Sequence, residues 1–593
     1  MAKVLLFPYD PVHDVALKII KRLLVERGHD VYLFPPDTPE AEVIEEAKRR
    51  KPDFLLISRT VSYEAVEKLA RFIDLLDAQG LREKMKVVIG GKAITPELAA
   101  ELGYDAGFGD GTKWEDVIAF IEEGKVERKE SRFVRRKGNL TERYTYEFRD
   151  EAMRSLLEEI VSEVMEWASS RSSPGVERAK LRERLLQGED VLDDYLSLCD
   201  DIVVNYYEGG VPPPHVRKLS LREEEELKSL ISEVRREDNI EPICESGDFL
   251  VFVQYGTGCP FMDVIHIKAC EAWGADGVIH FDPSWGARTE GILSGLLSHE
   301  HDGSIITYEN LEVIKSSLSD FTLWTVRAHR GLNTPETALY AGYLGADLTK
   351  INIPYGSLNG GTDPERLTVD GIEALRISAR FSIPFDIPTN EELGGVPAYK
   401  AFASMLIMAA LGLKIGTKPI LKPLFCYSPD VMIKGYMDDN YVDYNAAKII
   451  ALREIIDAPI WPGEPIGFMT HTEERVQSAL TTAFHAALAR SLEVDAITIA
   501  STDEAYSRGP ISVASRIDTL RGVKEALRFL GSCKISYSPN ALKWASELRK
   551  GIKETLERVA RMGFVRSLYE GVLGSREEGA NPGRAGRNSV FKE

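Results

Sequence analysis

The stretch YDPVHDVALKII, Tyr9 to Ile20, decides how the chain begins and what it is built to hold. Upstream lies KVLLF, a short apolar run of strand type. Downstream, Val15, Leu17, Ile19, Ile20, Leu23 and Leu24 interleave with Lys18, Lys21 and Arg22, the pattern of a helix packed by one face. His13 therefore falls on the loop between a strand and a helix. Ligands of open α/β sheets bind at the carboxyl ends of strands, so an imidazole placed there can reach one. A neutral imidazole is also the commonest metal ligand when a second group fixes its tautomer, and Asp10 and Asp14 are the candidates for that group. Taken alone, a loop histidine more often caps a helix or binds nothing.

Two further stretches change that balance. LLISRT (Leu55 to Thr60) and VVIGGKAITPELAAELGYDAGFGDGT (Val87 to Thr112) also read as strands ending in small polar or glycine residues, and glycine lets a bulky planar ligand approach the backbone. The segment from about Lys3 to Glu123 resembles the cobalamin-binding domain of adenosylcobalamin mutases and methionine synthases. That family carries Asp-x-His-x-x-Gly, then Ser-x-Leu or Ser-x-Thr, then a Gly-Gly pair. Here the order is His13, Ser58 with Thr60, and Gly90 with Gly91, followed by Gly111 and Thr112. The aspartate falls at Asp10, three before the histidine instead of two, and the glycine is Ala16. The resemblance implies a flavodoxin-like (Rossmann-type) domain over residues 1–125 with His13 as axial ligand to cobalt. It also implies a corrin nucleotide tail beside Ser58, Thr60, Gly90, Gly91, Gly111 and Thr112; whether Asp10 or Asp14 orients His13 stays open.

With 593 residues the chain has room for two or three domains with full cores. A formal net charge of −20 argues against a nucleic-acid partner, which needs clustered Lys and Arg. No apolar run of about 18 residues and no signal-like start are read, so the expectation is a cytoplasmic protein with no membrane partner. The six cysteines are scattered without a CxxC pair, which gives neither a zinc or iron–sulfur signature nor a disulfide scaffold.

Residues 126–247 read as a charged linker followed by a helical extension with interleaved acids and bases, a solvated face without assigned function. From residue 248 to 535, β-type runs recur at spacings that leave room for one helix and two loops: FLVFVQYGTG, GVIHFDPS, FTLWTVRAHRG, LTKINIPYGS, SIPFDIPTNEE, ILKPLFCYSPD, APIWPGEPIGFMTHTEE and DAITIASTDEA. Eight strand–helix units are the arithmetic of a (β/α)8 TIM barrel, whose active sites sit at the strand C-termini. The tail, 536–593, is a helix followed by a Gly- and Arg-rich segment that is either disordered or laid over a ligand.

The third, fourth and eighth units are similar to the large subunit of glutamate mutase, a TIM barrel that binds the upper face of adenosylcobalamin, while the first domain resembles that enzyme's small subunit. Here the two would be fused. In that family an Arg-His pair before Thr-Pro holds a substrate carboxylate, which corresponds to Arg327, His329 and Arg330 before Thr334 and Pro335. The substrate tyrosine matches Tyr355 and the carboxylate near the reacting carbon matches Glu504. The lysine that family has just before the Thr of the eighth strand end is Ala500 here, and no counterpart of its amino-binding glutamate is found, which argues against glutamate as substrate.

More distantly the chain looks like lysine and ornithine aminomutases, which add pyridoxal phosphate. The position of their aldimine lysine is Leu24 here, with Lys18 and Lys21 nearer. The expectation is an adenosylcobalamin-dependent radical isomerase acting on an amino acid or small carboxylic acid. The pyridoxal phosphate aminomutase is its close alternative, and a corrinoid methyl carrier the alternative of another class. By analogy a homodimer and a reactivating chaperone are expected.

Overall fold

The computed structural model describes residues 1–10, 14–60, 65–91, 94–109, 112–124, 137–199, 243–244, 247–255, 260–280, 308–328, 331–389, 396–425, 441–463, 475–499 and 513–592. Contacts divide the chain into two units, 1–131 and 132–593.

In the first unit β1 (Lys3–Pro8), α1 (Val15–Glu26), β2 (Asp30–Leu33), α2 (Glu40–Arg50), β3 (Phe54–Ser58), α3 (Ala65–Ala78), β4 (Lys86–Gly90), α4 (Pro96–Glu101), β5 (Ala106–Phe108) and α5 (Trp114–Glu123) alternate. All strands pair in parallel in the order β2-β1-β3-β4-β5, the flavodoxin-type order expected from the sequence. Both faces are covered, as the strands' period of two requires. Leu5, Phe7, Leu55, Ile57, Val87 and Ile89 pack towards α2, α3 and α4. Val4, Leu6, Leu56 and Val88 pack towards α1 and α5.

The second unit opens with a helical layer: α6 (Glu151–Ser169), β6 (Arg171–Ser172), α7 (Pro174–Leu186) and α8 (Leu192–Ser197). It continues through β7 (Leu250–Tyr255), α9 (Pro260–Ala272), β8 (Gly277–His280), α10 (Tyr308–Ser317), β9 (Leu323–Arg327), α11 (Thr334–Tyr343) and β10 (Leu348–Lys350). Then come α12 (Ile353–Leu358), α13 (Pro364–Arg380), β11 (Phe385–Pro388), α14 (Ala398–Ile415), β12 (Pro419–Lys422), α15 (Tyr441–Ile455), α16 (Arg475–Ser491) and β13 (Ala496–Ile499). The chain ends through α17 (Val513–Leu530), α18 (Pro539–Met562), α19 (Phe564–Tyr569) and β14 (Phe591–Lys592). Seven strands form a curled parallel sheet in the order β12-β11-β10-β9-β8-β7-β13, of TIM-like α/β type.

Seven of the eight expected runs are strands of this sheet. The exception is APIWPG, which makes only isolated parallel bridges at Ile460 and Gly463. Pro459 and Pro462 have no N–H to give a ladder. The segment still bonds on both sides: Trp461 N to Leu421 O at 2.8 Å, Asp495 N to Ile460 O at 3.0 Å and Thr498 N to Pro462 O at 3.2 Å.

One device recurs in both sheets. An aspartate just before or at the start of a strand accepts from the first free N–H of the neighbouring strand, which the ladder leaves unpaired. Asp53 takes Lys3 N at 2.7 Å and Asp105 takes Val87 N at 2.7 Å. In the second sheet Asp276 takes Val251 N at 2.8 Å, Asp347 takes Trp324 N at 2.9 Å and Asp495 takes Ile460 N at 2.9 Å.

The inner wall of the curled sheet follows from strand alternation. Leu250, Phe252, Ile279, Leu323, Leu348, Ile420, Trp461 and Ala496 meet in one buried cluster with Leu140, which fills the end where the strands begin. Outward-facing residues such as Val251, Ile387 and Leu421 join the large core shared with the helices. Helix α14 is apolar and long enough to cross a membrane, against the reading of no such run, but 72% of it is buried inside the fold. It is the kind of helix expected in the core of a large α/β unit.

The layer α6–α8 is tied in by a buried ion network in which Arg178 pairs with Glu336 at 2.7 Å and Tyr340 Oη donates to the same carboxylate at 2.6 Å. Arg178 holds the Glu336 carboxyl below its usual range against the pull of burial. The tail, left open between disorder and cover, is hydrogen-bonded along the loop after α12. Asn581 N donates to Leu358 O at 2.9 Å, Gly583 N to Ser357 O at 2.9 Å and Asp363 N to Ala585 O at 2.9 Å. Gly583 has to be glycine, since a Cβ there would stand 2.1 Å from Gly361 C. Finally, β14 pairs antiparallel with β6, Phe591 opposite Ser172.

Candidate functional site

A cavity of about 470 Å³ lies along β3, β4 and β5 between α1 and α5 of the first unit. Its wall brings together Ser58, Thr60, Gly90, Gly91 and Thr112, five residues that the sequence assigned to cofactor binding. It also includes Ala16, Leu17, Ile20, Phe108, Trp114 and Val117, which sequence reasoning did not single out. The apolar spacing of Leu17 and Ile20 on α1 was visible, but only the fold shows that this face turns partly to a cavity. Ala16, standing where the family motif has glycine, is part of the same wall.

Glycine is needed where the strands end. A Cβ on Gly91 would stand 1.8 Å from Arg59 O, and one on Gly109 2.1 Å from Ile94 O. Arg59 N donates to Gly90 O at 2.8 Å and Gly91 N to Phe108 O at 3.0 Å, so the crests of β3, β4 and β5 are locked together. A rigid cleft with apolar sides and a few polar groups at its rim suits a planar aromatic base carried on a ribose phosphate. The residues present therefore fit the nucleotide end of a corrinoid.

The two candidate partners of His13 are held differently. Asp10 is buried; its Oδ1 lies 3.2 Å from Arg59 Nη1 and its Oδ2 accepts from Thr60 N at 2.6 Å. Arg59 Nη1 also donates to Tyr9 O at 2.7 Å. Asp10 thus fixes the loop after β3 to the end of β1, with Arg59 as the partner that sequence reasoning missed. Asp14 stands at the start of α1, paired with Lys18 at 2.8 Å. His13 and Gly111 lie outside the described residues.

Lys18 is exposed, and Leu24, at the aminomutase lysine position, is fully buried in the core beneath α1. In the second unit Arg327 ends β9 and Tyr355 lies in α12, both buried. His329, Arg330 and Glu504 lie outside the described residues. Cys199, Cys244, Cys270 and Cys533 are free thiols, and burial pushes Cys244 up to about 11 and Cys270 up to about 12. Such thiols are inert as nucleophiles.

Residues 4–119 match the family model described as B12 binding domain. The first unit is a cobalamin-binding domain of the flavodoxin type. Over 104 residues the chain is 43% identical to the lysine 5,6-aminomutase beta subunit of Fusobacterium nucleatum, covering 17% of this chain and 40% of that protein. It is 30% identical over 126 residues to the D-ornithine 4,5-aminomutase subunit beta of Acetoanaerobium sticklandii, 20% of this chain and 17% of that one. It is 33% identical over 94 residues to the dimethylamine corrinoid protein of Methanosarcina barkeri, 16% and 44% respectively. The chain thus spans less than half the length of each of these relatives.

Proposed function

We propose that the chain is an adenosylcobalamin-dependent mutase in which the first unit binds the corrinoid from below through His13 and the second unit holds the substrate. The observation that carries this reading is the cavity walled by Ser58, Thr60, Gly90, Gly91 and Thr112 inside the matched B12-binding segment. It stands in one chain with a curled parallel sheet of the kind whose strand ends carry active sites. Support for reading that sheet as a full eight-fold barrel comes from the bonds of residues 459–462 to both β12 and β13.

Bound adenosylcobalamin would supply a carbon-centred radical by homolysis of its cobalt–carbon bond. The chain's own residues bind and orient. Ser58, Thr60 and Thr112 offer hydroxyls to the nucleotide end, and Gly90 and Gly91 allow it close to the backbone. Arg327, with Arg330, suits a substrate carboxylate because a guanidinium binds it bidentately. Tyr355 and Glu504 would position the migrating group or hold a proton, and a closed pocket keeps water from radical species.

The likeness to the aminomutase beta subunits favours a radical isomerase, and the likeness to the corrinoid protein keeps a methyl carrier as the second reading. The deciding experiment is anaerobic electron paramagnetic resonance of the chain with adenosylcobalamin and a panel of amino acids and dicarboxylates. A substrate-dependent organic radical coupled to cobalt is expected. A sample silent throughout, but able to accept a methyl group on its corrinoid, overturns the mutase. His13→Ala should change the absorbance of the bound corrinoid. Pyridoxal phosphate is tested by an aldimine band lost in Lys18→Met or Lys21→Met.

A further inference from the structure

At the carboxyl end of β12 the inner face of the curled sheet carries a buried primary amine. Lys422 is the last residue of that strand, two beyond Ile420 of the inner cluster, so strand alternation turns it inward above the apolar floor. It is only 3% exposed. Its Nζ sits 3.8 Å over the Trp461 ring and 3.1 Å from Asp386 Oδ2, and among the described residues it makes no hydrogen bond. Asp386, fully buried in β11, is in register with Ile420 on one side and with Lys350 on the other. Lys350 Nζ lies 3.8 Å from the same Asp386 oxygen.

This is the arrangement of a nucleophile, its base and a group that orients the base. A lysine amine attacks only once its proton has left, and a carboxylate 3.1 Å away is close enough to take it. Lys350 holds that carboxylate from the far side. The Trp461 ring stabilises a cation over its face, and an iminium is as much a cation as the ammonium it replaces.

A buried ion pair with only a structural role completes its hydrogen bonds, because each bond left unmade costs the desolvation of its group. Here neither Asp386 oxygen nor Lys422 Nζ does so among the described residues. The hydroxyls of Thr325 and Thr498 are unmet in the same sense. Both lie on the inner face, two residues beyond Leu323 and Ala496. Buried polar atoms are ordinarily paired, so this group points to a polar ligand in the lumen.

We propose that Lys422 is the attacking amine of a covalent site, forming an imine with the carbonyl carbon of a small aldehyde or ketone. Asp386 first takes a proton from the Lys422 ammonium. The freed electron pair of Nζ then forms a bond to the carbonyl carbon, and a proton moves from Nζ to the former carbonyl oxygen, giving a carbinolamine. Asp386 returns its proton to that hydroxyl, the C–O bond breaks, and water leaves as the C=N bond of the iminium forms. Nothing is oxidised or reduced, and the positive charge ends where it began, beside Asp386 and over Trp461. A sheet curled from this number of strands has an interior largely filled by side chains, so the ligand is small. The inference rests on the reading of the second unit as the substrate-holding half, and it adds to that reading a covalent residue and a ligand class.

The test is reductive trapping of the full chain, with and without adenosylcobalamin, by glyoxylate, pyruvate or propionaldehyde and cyanoborohydride, with the adducts mapped by peptide mass spectrometry. A single adduct on Lys422 is expected, forming at least about tenfold faster than on any exposed lysine, whereas a buried structural amine would react last. Lys422→Arg keeps a cation beside Asp386 but cannot form the imine, so the adduct should vanish while the circular dichroism spectrum stays the same. Should that variant fail to fold, the wild-type map decides alone. Asp386→Asn should change the pH profile of trapping, and an unchanged profile overturns the part given to Asp386. Adducts confined to exposed lysines with all three probes, or an undiminished adduct in Lys422→Arg, overturn the proposal. A substrate-dependent radical in a chain that gives no Lys422 adduct overturns it too and leaves the mutase standing. A Lys422 adduct in a chain that never yields a radical sinks the mutase and leaves this inference in place.

Discussion

In the N-terminal sheet the strands β3, β4 and β5 end in Ser58, Gly90 and Phe108, and the ligand space lies on one face, between helices and mostly apolar. In the second sheet the strands β9, β10 and β12 end in Arg327, Lys350 and Lys422, and the space these side chains face is the inside of the curl. Both sheets are parallel, both are flanked by helices, and both use strand-start aspartates to satisfy loose N–H groups. What differs is where curvature leaves room. An open sheet is filled on both faces, so its ligand space lies at the carboxyl ends of the strands, where the covering helices leave room. A curled sheet encloses an inside, apolar at the floor and charged near the strand ends. Small residues stand on the wall in the first case, and long charged side chains stand at the strand ends in the second.

Substitutions should separate the two halves. The largest effect is expected at Trp461, fully buried in the floor of the curl. Trp461→Ala should cost about 3–5 kcal/mol in denaturant unfolding of the second unit, with corrinoid affinity unaltered. An equal loss of corrinoid binding would show that the halves are not independent.

Gly91→Val comes next. Its Cβ would stand 1.8 Å from Arg59 O, so the crest must open, at about 3 kcal/mol in the first unit and with loss of corrinoid binding. Unfolding of the second unit should be unaffected.

Acid provides a third separation. Burial, aided by the Arg516 guanidinium, holds His266 down to about 4, and burial alone holds His485 down to about 3, against 6.5 for a free ring. Between those values the unfolded chain takes up protons that the folded one refuses. The second unit should therefore lose stability as pH falls from 6.5 towards 4, by up to about 3 kcal/mol for each ring, with no contribution from these rings above that range. Thermal melts across pH check this, and His266→Gln should flatten the slope.

The smallest effect is expected at Lys18, whose pair with Asp14 is exposed on the lysine side. Lys18→Met should change stability by less than about 0.5 kcal/mol and leave corrinoid binding as it was. A large fall in corrinoid affinity would show that the α1 start matters more than its exposure implies.

The first unit was legible because its motif lies at strand ends, where Ser58 and the Gly90–Gly91 pair end apolar runs and come together on the wall of one cavity. Seven strands of the second sheet were legible from recurrence, whereas APIWPG looked like the rest until its prolines reduced it to bridges. Arg59 was not legible, since its partner Asp10 is 49 positions away in the chain and only the parallel pairing of β1 and β3 joins them. Lys350, Asp386 and Lys422 were hidden for a related reason. Each is one charge inside or beside an apolar run, and register alone shows that they share a face. Charge pairs such as Arg143 with Asp495 at 2.6 Å depend on the folded path of the chain and leave no local pattern.

The clasp of β14 on β6 bears on the order of synthesis. Arg171 and Ser172 leave the ribosome long before Phe591 and Lys592, and every strand of the curled sheet is made in between. The early helices α6, α7 and α8 must wait through that interval with their apolar stripes uncovered. Pairings this far apart along the chain form slowly and favour aggregation. Production in cells should accordingly improve at low temperature or with added holdase, more than for the N-terminal unit, whose strand pairings all lie within its own short stretch of chain.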